Sequence, residues 1–159
     1  MKRILVVLAL VFCSAISGPL LAEDNPFVGT WKLNTPKSKF EPAPGPKSVT
    51  RTIVAQGTGA NYSFEGVGPD GASFAYSFST NYDGKDSAIT GTGSPGGADA
   101  IALKRVGSRR VEGTLKKDGK ELGKVIAEVS KDGKVSTVRT KGKTADGKEL
   151  SAETVYDRQ

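Results

Sequence analysis

The chain has 159 residues, enough for one domain, with no histidine, a single cysteine and a formal net charge of +6. The missing histidines exclude His-based catalytic triads and His-ligated zinc. The basic residues are dispersed in no long block, so the charge reads as a solvated surface and not as a nucleic-acid interface.

At the N-terminus, "MKR" supplies a positive start and "ILVVLALVF" an apolar run, followed by small residues and "GPLLA" ending at Ala22. This is the layout of a secretory signal peptide, expected over residues 1–22. The apolar run is too short to span a bilayer comfortably, so no stable membrane anchor is expected. Leu20 is bulky for its place before the cut, and cleavage after Ala15 is the alternative. Cys13 follows bulky Phe12, whereas lipidation needs a small residue there, so it reads as a hydrophobe inside the leader. Cleavage after Ala22 leaves a mature domain, 23–159, of 137 residues. Lys2 and Arg3 leave with the leader and take the net charge from +6 to +4. The mature domain has no cysteine, hence no disulfide and no thiol nucleophile, and must be held by its core. An exported monomer, in the periplasm or the medium, is the expectation.

"GTWKLN" (29–34) opens the domain as a first strand. The segment "TPKSKFEPAPGPK" (35–47) carries Pro36, Pro42, Pro44 and Pro46, which disfavour a helix and predict an extended loop over one barrel end. Phe40, its only large apolar residue, either tacks this loop to the core or meets a ligand at the barrel mouth. Strands are expected next at 48–56, 61–66 and 71–80 by period-two alternation. Tyr62 and Phe64 share one face of the second of these, and Phe74, Tyr76 and Phe78 share one face of the third. A short strand at 87–90, a flexible loop at 91–99 and strands at 99–106, 109–117, 120–130, 134–142 and 148–158 complete about ten. Asp-Gly pairs at Asp70-Gly71, Asp83-Gly84, Asp118-Gly119, Asp132-Gly133 and Asp146-Gly147 predict hairpin turns, because a type I′ turn needs positive φ at both central residues. No segment has a sustained helical period. The expected fold is all-β: a single up-and-down antiparallel barrel of about 8–10 strands, with a sandwich as the alternative.

"GTWKLN", with Gly29 and Trp31 on the first strand, resembles the Gly-x-Trp signature of the calycins, the lipocalins and fatty-acid-binding proteins. "ETVYDRQ" resembles their closing strand. The whole mature chain is similar to short exported bacterial proteins described as lipocalin-like, through "NPFVGTWKLNTPKSKF", "YDGKD", "SKDGK" and "VYDRQ". The resemblance implies a Trp lying across the closed end of the barrel with a last-strand cation near its face. Arg158 is the candidate here and Arg139 the second. The chain also departs from that pattern. The proline-rich 35–47 segment cannot supply the helical lid of the fatty-acid binders. Their last strand carries an Arg and a Tyr two residues apart; Tyr156 matches the Tyr, but Thr154 stands where the Arg belongs. A neutral hydroxyl makes no charge-assisted pair with a carboxylate, so fatty-acid binding does not transfer. The disulfides and the late helix of lipocalins proper are also missing.

Two functions stay open. Tyr62, Phe64, Phe74, Tyr76, Phe78 and Tyr156 could wall a pocket for a small hydrophobic or amphipathic molecule. They could equally fill the barrel of a non-catalytic structural or interaction module of the cell envelope. A connected cavity above about 300 Å³ would favour the first and a filled interior the second. Asp83 and Asp86 are better explained by turn chemistry than by catalysis, and their spacing fits no EF-hand loop. No catalytic residue, metal or cofactor is expected.

Overall fold

The computed structural model describes residues 25–159. The leader read at 1–22, with Cys13, lies outside the described residues. The described chain is all-β: β1 (Gly29–Leu33), β2 (Lys39–Glu41), β3 (Ser48–Gln56), β4 (Gly59–Val67), β5 (Ser73–Thr80), β6 (Asp83–Ala88), β7 (Thr90–Thr92), β8 (Ala100–Gly107), β9 (Arg110–Lys117), β10 (Lys120–Val129), β11 (Val135–Lys143) and β12 (Glu149–Arg158). The strands pair antiparallel along one path, β6-β8-β9-β10-β11-β12-β1-β3-β4-β5-β7, with β2 added on β12. The two ends of this path nearly meet. Residues 83–92 form one bent run whose first half pairs with β8 and whose second half pairs with β5. At the break the Ile89 N–H donates to the Asp99 carbonyl at 2.8 Å. The sheet thereby becomes a nearly closed up-and-down barrel, which leaves little unpaired edge. Counting β6–β7 as one stave and setting β2 aside, ten staves go round.

Alternation along each strand sorts side chains into an inner and an outer set. Cross-strand register then divides the interior. On one side Tyr62 faces Phe78 and Phe64 faces Tyr76 across β4 and β5. On the other side Ile101, Leu103, Val111, Leu115, Val125 and Val129 bury an aliphatic lining on β8, β9 and β10. Each such apolar side chain contributes about 1.5–3 kcal/mol on burial.

One barrel end is sealed. Residues 25–28 cross under it, with Phe27 1% and Trp31 0% exposed. The Trp31 indole N–H donates to the Phe27 carbonyl at 2.9 Å. The Arg158 guanidinium stands 4.2 Å from the Trp31 ring centre. It donates to the carbonyls of Gly133, Val28 and Pro26, each at 2.6 Å. Gly29 runs at φ 135°, and a Cβ there would collide with the Arg158 guanidinium. Glycine at this place therefore admits both the backbone and the arginine. Arg139 instead points outward, into an ion-pair chain that runs Arg110–Glu128–Arg139–Glu153 across four strands.

Three local expectations change. Of the five Asp-Gly pairs, Asp118-Gly119 alone has both residues at positive φ, 49° and 75°, as the two-residue hairpin requires. Asp83-Gly84 is not a turn but sits inside β6 at a register shift. The turn falls instead at Asn81 and Tyr82, where Tyr82 takes φ 56°. This left-handed backbone costs a non-glycine residue about 1–2 kcal/mol. Burial of the Tyr82 ring, 6% exposed and with Arg105 4.6 Å from its centre, offsets it. The proline-rich segment is more ordered than a plain extended loop. It forms a 3-10 turn at Thr35–Lys37, with Pro36 in the first turn where no N–H is needed, and then β2 extends the first stave along β12.

Candidate ligand cavity

Inside the barrel lies a cavity of about 110 Å³. Tyr62, Phe64, Tyr76, Phe78 and Tyr156, five of the aromatic residues singled out in the sequence, line it. Neighbouring strands hold the rings in register: Tyr62 stacks on Phe78 at 4.8 Å and 12°, and Phe64 on Tyr76 at 4.5 Å and 11°. Offset stacks of this kind add about 0.5–1.5 kcal/mol per pair beyond area burial, so this wall is rigid. Phe74 stands outside the lining, packed on the core and 6.2 Å from Tyr76. Phe40 is also outside it: on β2 it registers with Ala152, and its ring covers the backbone of Gly45. The opposite wall is aliphatic, from Ile101 and Leu103 round to Val125 and Val138.

At the end away from Trp31, Pro95 closes the lining. It belongs to a 3-10 turn, Pro95–Gly97, within the glycine-rich 91–99 segment. Ser94 Oγ donates to the Ala98 carbonyl at 2.6 Å and folds that segment on itself. The Ala145 N–H, from the β11–β12 hairpin, donates to the Gly96 carbonyl at 2.8 Å. This segment therefore closes the lining at that end.

The residue that sequence reasoning missed is Arg51. It lies on β3, in register with Trp31 on β1 and Phe64 on β4. It is 2% exposed and reaches into the cavity. Its guanidinium carbon is 4.4 Å from the Tyr156 ring centre and 5.2 Å from that of Trp31. Its Nε and Nη2 are buried without a hydrogen-bond partner among the described residues. No Asp or Glu lines the cavity. Burial lowers the Arg51 pKa, opposed by the oxygens of Tyr156, Tyr62, Tyr76 and Tyr82. The guanidinium stays charged all the same, since its ordinary pKa is so high.

The tyrosines do not supply a counter-charge. Burial first, and then the neighbouring Tyr82 oxygen, pushes the Tyr62 hydroxyl well up. Burial likewise raises Tyr76 and Tyr156, with the Arg51 cation pulling the other way in both. All three are neutral at ordinary pH. Tyr62 shares a 2.9 Å hydrogen bond with Tyr82. Thr154 and Thr140 add buried hydroxyls to the lining. The balance at Arg51 is unfavourable as it stands. Burying the charge costs several kcal/mol. Two ring faces return about 2 kcal/mol each, and each unpartnered N–H adds about 1–3 kcal/mol of penalty.

A second, open depression of about 540 Å³ lies outside the barrel, beside Pro42, Lys148 and Leu150. It contains no buried unpartnered group among the described residues. The other orphaned polar atom, Ser136 Oγ, is a neutral hydroxyl away from the cavity lining. Among the described residues no group of three or more Cys, Asp or Glu side chains is placed to hold a metal ion, and no helix is long and apolar enough to cross a membrane. No protein-family model matches the chain, and no curated protein matches it.

Proposed function

We propose that this is an exported, non-catalytic, lipocalin-like carrier that binds a small hydrophobic or amphipathic molecule inside the barrel. The observation that carries this reading is the unfilled cavity itself. Protein interiors pack about as densely as organic crystals. Here a rigid aromatic wall and an aliphatic wall leave about 110 Å³ between them. Catalysis is not part of the proposal, because the cavity offers neutral hydroxyls and one cation but no nucleophile–base pair. The competing reading, a filled barrel acting through its surface, draws support from the volume, which falls short of the roughly 300 Å³ of drug-sized sites. It leaves Arg51 unexplained. Native mass spectrometry on protein isolated gently from its own host separates the two. A discrete adduct released on denaturation is expected. Apo protein that shows no mass shift across a panel of lipids and small metabolites refutes the carrier.

A further inference from the structure

We propose that the cavity selects a small carboxylic acid, with the carboxylate on Arg51 and an apolar body smaller than a benzene ring, about three carbons, between the two walls. This rests on the cavity being a ligand site. Three observations carry it. The first is which donors lack partners. Nε and Nη2 lie on the same edge of a guanidinium, where their N–H bonds run parallel. They are the two nitrogens of Arg51 buried without partners, covered by neighbouring side chains in the empty barrel, and a small rotation of the side chain presents them to the cavity that Arg51 lines. Two parallel donors match the two oxygens of one carboxylate, which is the bidentate geometry arginine is suited for. The second is charge. The cavity lining has a single cation, no carboxylate and only tyrosines whose hydroxyls burial holds neutral. One negative charge balances it; a dianion would leave one charge buried and unpaired. Thr154, Thr140 and Tyr76 offer further hydroxyls for the remaining lone pairs. The third is size. At about 110 Å³ the space falls somewhat below that of a benzene-binding cavity of about 150 Å³, and a long acyl chain does not fit.

The test titrates the purified protein with butyrate, 1-butanol and inorganic phosphate, following heat by calorimetry and the fluorescence of Trp31. Butyrate is expected to bind about 10- to 100-fold tighter than 1-butanol, the range of a hydrogen-bonded charge. Phosphate is expected not to compete. In Arg51→Met the butyrate advantage disappears while 1-butanol binding persists; Arg51→Lys, which keeps the charge and loses the fork, recovers part of it. Should the variants fail to fold, the wild-type pH series decides: butyrate affinity falls as pH drops below about 4, where the ligand protonates, and 1-butanol affinity does not. Equal affinity for butyrate and 1-butanol, or butyrate binding indifferent to Arg51 or to pH, overturns the carboxylate assignment and leaves the carrier standing. Phosphate that binds as tightly as butyrate also overturns it, in favour of an inorganic anion. If neither butyrate nor 1-butanol binds, the cavity is not a site for ligands of this size, and the proposal falls with it.

Discussion

Arg51→Met, in the absence of any ligand, is expected to make the protein more stable. The wild-type side chain buries a charge with Nε and Nη2 unpartnered. Each of those donors costs about 1–3 kcal/mol, or about 4 kcal/mol for the pair. The substitution also gives up the contacts at 4.4 Å to Tyr156 and 5.2 Å to Trp31. These are worth about 0.5–2 kcal/mol each, or about 2.5 kcal/mol together. Methionine is unbranched and adaptable enough to follow the same path between the rings. The difference is a net gain of about 1–2 kcal/mol, equivalent to roughly 5 °C in Tm for a domain of this size. Urea unfolding should show the midpoint moving up at unchanged m. With an acid ligand present at about 100 times its wild-type Kd, the variant's advantage should vanish or reverse, because the wild type gains about 2.7 kcal/mol and the variant, binding about 10- to 100-fold more weakly, only about 0.4–1.4 kcal/mol. A variant less stable than the wild type by more than about 1 kcal/mol refutes the reasoning. It would mean that the Trp31–Arg51–Tyr156 stack holds the barrel together and that the unpartnered donors carry no penalty.

Trp31→Ala should cost about 3–5 kcal/mol in denaturant unfolding, the range for emptying a fully buried aromatic site, and leave any binding in the cavity largely intact; loss of binding in a still-folded variant would make Trp31 a ligand contact. Asp146 should titrate at about 2, held down first by Lys148 and then by the Thr144 hydroxyl. Its folded pKa lies below the unfolded value of about 3.9. Its contribution to the β11–β12 hairpin is therefore complete above that value and is lost as pH falls towards 2. A carboxyl NMR titration of Asp146 with its midpoint near 4 would contradict this.

The strand plan is legible because it depends on two local signals, alternation and turn chemistry. The run "SVTRTIVAQ" is a strand over the same residues, 48–56, in the sequence pattern and in the structure, and the face shared by Phe74, Tyr76 and Phe78 is the inner one. What misleads is chemistry decided at long range. Asp83-Gly84 has the better turn sequence, yet Tyr82 takes the positive φ because its ring is needed in the barrel floor beside Arg105 and Tyr62. Phe74 alternates in phase with Tyr76 and Phe78 but lies nearer the barrel mouth, beyond the cavity. The strand within the proline-rich segment is missed because nothing local shows that Lys39, Phe40 and Glu41 will find an edge on β12. The glycine-rich 91–99 segment reads as merely flexible, and only the hydrogen bond from Ala145 to Gly96 shows it lying over the mouth.

Arg51 is illegible for a related reason. In "SVTRTIVAQ" it reads as one polar residue among threonines, on a strand whose phase could have placed either set inside. The register settles the matter. Arg51, Trp31 and Arg158 occupy one row across β3, β1 and β12. The indole thus has two guanidinium neighbours, and comparing them shows what each is for. Arg158 sits 4.2 Å from the ring centre and places three of its N–H groups on backbone carbonyls. Each of its three nitrogens has a partner within the fold, so it fastens the N-terminal segment under the floor. Arg51 sits against the same ring and a second one, yet makes no hydrogen bond through Nε or Nη2. A floor plug requires one tethered cation, and Arg158 supplies it. A second cation, buried deeper beside a void with two donors unpartnered, is a net cost to an empty barrel even after its ring contacts. It becomes favourable when an anion enters, and that asymmetry within one row of side chains is the strongest physical reason to read the interior as a site.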